Sequence, residues 1–387
     1  MTQLRIPAVY MRGGTSKGVF FLAGDLPADP VLRDKILLRV IGSPDPYGKH
    51  IDGMGGATSS TSKVVLISKS SQPDCDVDYL YGGLAVDRDF VDWSGNCGNL
   101  TAAVGPFVIS MGLVKAPAVG WATVRIWQAN IGKKIVAQVP MQGGEVQEEG
   151  DFKLDGVTFP AAEVKLEFLD PGAEEGEDSG GAMLPTGHVT DWLDVPGIGR
   201  IEATLINAGL PTIFVAAESL GFKGTELQPD INPHADILAR IETIRRHGAV
   251  AMGLAATEED AAKTAHTPKL SFVAPSQAYT ASDGRAVRCE DIDLLARVFS
   301  MGPLHHAMTG TGAVAIASAV AVPGTIPNRL ARTQPDGRVR FGHPSGTLSV
   351  GAEAREENGQ WVVTKAMMSR SARRLMEGWV RVPDPTR

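Results

Sequence analysis

The sequence is poor in cysteine. Cys75, Cys97 and Cys289 are odd in number and widely scattered in 387 residues, so they form no disulfide framework, and a reducing compartment is expected. No basic run offsets the formal net charge of −7, which argues against a nucleic-acid partner. The same charge means that an acidic ligand has to be held by local donors against the overall field. The opening Met1-Thr2-Gln3-Leu4-Arg5-Ile6-Pro7 lacks the apolar core of a signal peptide. The longest apolar run, Ala313 to Val322, is too short to span a bilayer and includes Ser318. A cytoplasmic protein without a membrane partner is expected. No Cys/His spacing resembles a zinc or iron site, and the Walker pattern is absent from both glycine-rich loops, 12–18 and 53–63. On this spacing no metal ligand set is expected.

What is present is a soluble globular composition, 43% hydrophobic and 21% charged, on a chain long enough for two domains. Forty-four glycines and 25 prolines separate short β-branched or aromatic runs, which read as strands at 18–22, 64–67, 124–127, 135–139, 213–215 and 270–273. Helices are fewer: 30–41, 100–111, 233–247, 290–299 and 313–322. Many short strands with turn signals favour antiparallel sheets or barrels over repeated βαβ units. The acidic, glycine-rich stretch 170–181 reads as a mobile surface loop or an interdomain connection.

Three landmarks occur twice in the same order. Arg12-Gly13-Gly14-Thr15-Ser16-Lys17-Gly18, Thr61-Ser62-Lys63 and Asn96-Cys97-Gly98-Asn99 precede a strand, a strand and an apolar helix. Asn207-Ala208-Gly209-Leu210-Pro211-Thr212, Thr267-Pro268-Lys269 and Met308-Thr309-Gly310-Thr311-Gly312 do the same in the second half. The expectation is two related domains, 1–185 and 186–370, with 371–387 packing back on the first. Each would wrap strands around a helix that is apolar on nearly every face, with Pro106 kinking or shortening the first. If the domains face each other, both helix N-termini aim at one cleft, a site for a multiply charged anion.

Cys97 opens the first of these helices, where unpaired N–H groups and the positive dipole end bind anions and lower a thiol's pKa. A cysteine there is often a small buried hydrophobe. Gly95, Gly98 and Asn99, which permit close ligand approach, favour function. Cys75 and Cys289 have no such setting. Lys63 ends a loop rich in glycine and hydroxyls; a solvated strand-start lysine and a partly desolvated base are both open on the residues alone. For Arg12, a bidentate carboxylate contact and a surface arginine are likewise both open. Gly310 to Ala315 formally fits a dinucleotide fingerprint, but without an acidic residue at the ribose offset; glycine-rich turns also form N–H nests for carboxylates. His305, His306 and His343 read as structural or substrate-contacting.

Arg12 to Gly18, Ser60 to Lys63, Asp92 to Asn99 and His343-Pro344-Ser345-Gly346 resemble the PrpF family, isomerases of the diaminopimelate-epimerase-like fold. The likeness extends over essentially the whole chain, including 41–48 and 368–373. It implies an α+β fold of two pseudo-symmetric domains, each a mostly antiparallel β-barrel-like sheet around a central apolar helix. It also implies catalysis without cofactor by a lysine–cysteine pair matching Lys63 and Cys97. Epimerases and racemases of this fold carry a cysteine before each central helix. Here the second position is Thr309, too weak an acid or base for that role, so one-base chemistry with Lys63 is expected.

The reaction that the resemblance implies moves a double bond or changes its cis–trans geometry in 2-methylaconitate or aconitate, as in the methylcitrate route of propionate breakdown. Lys63 takes a proton next to a carboxylate, and a dienolate forms. Cys97 serves as second acid/base or helps hold the intermediate. Gly13, Gly14, Thr15, Ser16, Ser62, Ser94, Asn96, Gly98 and Asn99, with Arg12, bind carboxylates; Thr309, Gly310 and Ser345 close the other side. One well-placed donor contributes roughly 3–4 kcal/mol. The family reading names an aconitase-like iron–sulfur 2-methylcitrate dehydratase as functional partner and leaves a homodimer open. The alternatives are a 4-oxalomesaconate Δ-isomerase or tautomerase, a non-catalytic accessory protein of the dehydratase and, last, a nucleotide-binding module.

Overall fold

The computed structural model describes residues 3–172, 182–332 and 338–383. Most of the acidic stretch, 173–181, therefore lies outside the described residues. The chain divides into two compact units. The first comprises Met1–Lys153, Phe159–Leu166 and Arg370–Arg387, the second Leu154–Thr158 and Glu167–Ser369. The chain enters the second unit briefly at 154–158, returns to the first, crosses again inside the strand Val164–Leu169, and comes back at Arg370; none of these crossings falls at 185.

In the first unit the hairpin Leu4–Gly13 and Ser16–Leu22 is antiparallel. On its far side Leu4–Gly13 pairs with Ala372–Val382, which returns from the end of the chain. Beyond Ser16–Leu22 come Lys63–Lys69 (parallel), Val77–Leu84 (antiparallel), Gly120–Gln128 (parallel) and Lys133–Gln142 (antiparallel). The helix Gly98–Ser110 packs on one face of this sheet: Phe107 meets Phe20 with ring centroids 5.4 Å apart, and a Cβ at Gly105 would lie 2.5 Å from Val139. The helix touches strands near both ends of the order, so the sheet curves around it. Val19 and Phe21 point the other way, into a core with Ile36, Leu37 and Val40 of the helix Pro30–Ile41. Both faces are covered, which is why Val19-Phe20-Phe21 reads as an unbroken apolar run.

The helix Pro30–Ile41 follows from local chemistry. Asp29 caps it by accepting from the N–H of Val31, Pro30 takes the first position, and Gly42 (φ 86°) ends it left-handed. The helix around Pro106 continues to Ser110, so the proline does not shorten it.

The second unit repeats the order of neighbours. Asp191–Val195, Gly199–Ala208 and Leu210–Ala216 are antiparallel, and Lys269–Pro275 is parallel to the last of them. Leu294–Val298 (antiparallel), Arg338–His343 (parallel) and Gly346–Glu357 (antiparallel) follow. Its enclosed helix is Gly310–Ala321, approached so closely by the hairpin that a Cβ at Gly209 would lie 2.7 Å from Val314. Ala235–Ala251 covers the outer face, with Ile241 and Ile244 against Ile213 and Phe272.

One expected helix is corrected: residues 290–299 hold a short 3-10 turn, Cys289–Asp291, and then the strand Leu294–Val298. Leu, Ala and Arg favour a helix in isolation, but the segment is paired on both sides and every residue of it is buried. No described helix is long and apolar enough to cross a membrane.

Candidate active site

Sheet register brings the candidates Lys63 and Cys97 each into the neighbourhood of Tyr81. Lys63 opens its strand opposite Gly83, and Gly83 in turn faces Asp92 of the two-residue strand Val91–Asp92. From Asp92 the chain runs five residues to Cys97, the N-cap of the enclosed helix. Lys63 is buried, and its Nζ donates to the Tyr81 hydroxyl at 2.7 Å. Cys97 is buried at the helix start, without a side-chain capping bond. Its carbonyl accepts from the Tyr79 hydroxyl (3.1 Å), the Thr101 hydroxyl (3.0 Å) and the Thr101 N–H (3.0 Å). Burial, then the charges of Cys97 and Asp92, push the Tyr81 phenol well above its ordinary 10. Tyr79 is raised by burial, then by Cys97 and Tyr81. Both phenols stay neutral beside the lysine and the thiol.

The hairpin turn Gly13-Gly14-Thr15-Ser16 lies against the same helix end. Gly14 has φ +52°, the backbone that a two-residue hairpin requires. A Cβ at Gly13 would sit 2.6 Å from the Asn99 carbonyl, and one at Gly14 would sit 2.5 Å from Asn99 Oδ1. Only glycine permits this approach. Asn99 Nδ2 donates to Thr15 (3.0 Å) and Ser16 (3.5 Å), while its Oδ1 accepts from Arg370 Nε at 3.1 Å. Arg370 is fully buried, and burial lowers its guanidinium to about 10.

Arg12 is half-buried and braces the turn: Nη1 donates to the carbonyls of Gly14 (3.1 Å) and Ser371 (2.9 Å) and to the Ser371 hydroxyl (3.1 Å). Burial and the neighbouring charge of Arg373, partly offset by Glu148, bring it down to about 10. Ser62 is buried with Oγ 3.3 Å from His50 Nδ1, and its carbonyl accepts from Leu84. Ser94 is exposed and gives both N–H and hydroxyl to Asp92. Asn96 and Gly98 are buried beside Cys97. The first unit thus gathers Arg12 to Ser16, Ser62, Lys63, Cys97 and Asn99.

The other three candidates belong to the second unit. Thr309 caps the helix Gly310–Ala321 by accepting from the N–H of Gly312 (3.0 Å), so its hydroxyl is engaged in structure. Gly310 is buried in the first turn, which makes the dinucleotide-like pattern a packed helix start. The Ser345 hydroxyl donates to the His306 carbonyl, and the Ser345 N–H donates to His343 Nδ1 (3.2 Å). The rings of His305 and His306 stack with centroids 4.6 Å apart. Of the remaining cysteines, Cys75 is half-buried and Cys289 exposed. Among the described residues, no group of three or more His, Cys, Asp and Glu is arranged to hold a metal ion.

Three participants escaped the sequence reading: Tyr81, Tyr79 and Arg370. The tyrosines alternate in Val77–Leu84, and that period-2 spacing was the available signal for two side chains on one face. Arg370 reaches Asn99 across 271 positions, for which no local signal exists.

A buried amine, a thiol at a helix start and a turn of N–H and O–H donors are the kinds of group that proton transfer on an anionic carbon acid requires. The PrpF protein family matches residues 3–383, and the chain belongs to that family. It is 62% identical to the 2-methyl-aconitate isomerase of Shewanella oneidensis, over 99% of this chain and 98% of that protein. The crystal structure of a methylitaconate-delta-isomerase superposes with a TM-score of 0.79 at 40% identity, covering 99% of this chain and 96% of that one. A probable proline racemase from Agrobacterium radiobacter shares the fold with a TM-score of 0.56 at 14% identity, over 98% and 95% of the two chains.

Proposed function

We infer that this protein is an isomerase of 2-methylaconitate, moving or reorienting the carbon–carbon double bond of an unsaturated tricarboxylate without a cofactor. The observation that carries the reading is the Lys63–Tyr81–Cys97 grouping beside the Gly13–Ser16 turn, in a chain 62% identical over nearly its full length to a 2-methyl-aconitate isomerase. In 2-methylaconitate a C–H next to one carboxylate is conjugated through the alkene to another. Lys63 as neutral amine takes that proton onto its lone pair, and the C–H electrons spread over the alkene and carboxylate oxygens as a dienolate. Returning the proton at a different carbon moves the double bond; rotation before reprotonation changes its geometry.

Cys97 is the second acid/base or helps hold the intermediate. The turn Gly13 to Ser16, with Gly98 and Asn99, supplies donors where carboxylate charge develops, which is the largest electrostatic contribution such a site makes. The two units are read as pseudo-symmetric, barrel-like domains of the diaminopimelate-epimerase type. An aconitase-like dehydratase is the functional partner in this reading. Purified protein incubated separately with 2-methylaconitate and oxalomesaconate, with the alkene protons followed by NMR, tests it. Conversion of the first acid supports the assignment. Turnover of oxalomesaconate alone, or of neither acid, overturns it.

A further inference from the structure

We propose that Tyr81 is the positioning residue for the Lys63 amine: its buried hydroxyl takes one N–H of Lys63 and, as a neutral partner, leaves that amine free to lose its proton and serve as base. The proposal rests on the reading of Lys63 as the base. A buried lysine with a carboxylate partner is held protonated by the opposite charge. Here the nearby carboxylate, Asp92, accepts from the N–H and hydroxyl of Ser94, at 2.9 and 2.6 Å, and its charge acts on the site as it does on Tyr81, from outside the direct contact. The 2.7 Å contact of Nζ is to a phenol. Such a partner fixes the direction of the amine without adding a countercharge.

The surrounding chain is shaped around that hydroxyl. Gly83 stands opposite Lys63 in the sheet, and a Cβ there would come within 2.9 Å of the Tyr81 oxygen. Val77–Leu84 has its parallel neighbour only as far as Tyr79. Asn130 continues the edge with its side chain, accepting from the Tyr81 N–H (2.8 Å) and donating to the carbonyls of Tyr81 (2.8 Å) and Trp93 (2.7 Å). One amide thereby ties Tyr81 to the segment that leads into Cys97. The titratable groups around this point are Tyr81 and Tyr79 on the neighbouring strand, Asp92 on the short strand, Cys97 at the helix start and His50 on the preceding loop.

Tyr81→Phe removes the acceptor and keeps the ring. The Lys63 ammonium then loses a hydrogen bond in a buried place, so its proton is held less tightly. The acid limb of the kcat–pH profile should move to lower pH by about one unit, the size of one hydrogen bond to a charged group. kcat at its plateau should fall about tenfold as the amine loses its fixed direction, with KM held within about twofold. Gly83→Ala retains the tyrosine and displaces its oxygen; it should move the acid limb in the same direction, with thermal unfolding confirming that both variants fold. Acid limbs superimposable on that of the unaltered enzyme, whether or not kcat falls, would overturn the positioning role. A separate result bears on the underlying reading: if Lys63→Ala still exchanges substrate protons with solvent, Lys63 is not the base and the proposal falls with it.

Discussion

Arg370 Nε donates to Asn99 Oδ1 at 3.1 Å, joining the chain two residues before the returning strand Ala372–Val382 to the first turn of the enclosed helix. Both side chains are buried, and the Asn99 amide turns its other end to Thr15 and Ser16 of the hairpin. One side chain therefore connects the approach to the returning strand, the helix start and the hairpin turn. The amide is neutral beside a buried cation, which a carboxylate in its place would not be.

Asn99→Ala leaves the Arg370 Nε–H without this acceptor and releases the turn. It should lower unfolding free energy by about 2 kcal/mol, the usual cost of stranding a charged donor, measured by urea titration. Asn99→Asp should act differently. Its carboxylate pairs with Arg370 and preserves the unfolding midpoint, but repels an incoming substrate carboxylate, raising KM by about tenfold or more. Equal KM values for Asn99→Asp and the unaltered enzyme would remove the turn from the binding site.

Cys97 occupies an N-cap position without making a capping bond. Serine there can accept from the free N–H groups of the first turn, so Cys97→Ser should leave stability unchanged or raise it by up to about 1 kcal/mol. Its hydroxyl is a much weaker acid, and kcat should fall about a hundredfold. A variant both stable and fully active would show that the thiol is packing only.

Burial holds the His306 imidazole below its ordinary 6.5. In the window below 6.5 the unfolded chain binds a proton that the folded one does not, so stability is flat above that value and declines as pH falls through the window. His50, also lowered by burial despite the opposing charge of Asp45, adds to the same decline. His306→Gln should make the loss of stability between about pH 7 and about pH 5 shallower without removing it, as read from urea midpoints. An unchanged slope would contradict the assignment.

The parts of this molecule that were legible in the sequence are those fixed by local chemistry. Pro30–Ile41 carries its own cap, its proline and its terminating glycine. Cys97 stood out by its neighbouring glycines while Lys63 stayed open on the residues alone, and the repeated landmarks correspond to the same succession of hairpin, parallel strand and enclosed helix in each unit. What escaped is what long-range register decides. Leu294–Val298 has helix-forming residues and becomes a strand because Lys269–Pro275 and Arg338–His343 claim its two edges. Tyr81 meets Lys63 only because the two strands align that way. The bracing of the turn by Arg12 through Ser371, like the contact between Asn99 and Arg370, joins positions more than 250 residues apart, beyond any local pattern.

The most direct test of the central claim is proton exchange in heavy water. The protein is mixed with 2-methylaconitate in D2O, and deuterium entering the substrate is followed by NMR for the unaltered chain and for Lys63→Ala. The account predicts incorporation by the first and none by the second, while Lys63→Ala keeps its fold and still binds the acid. Deuterium incorporation by Lys63→Ala at the unaltered rate would contradict it.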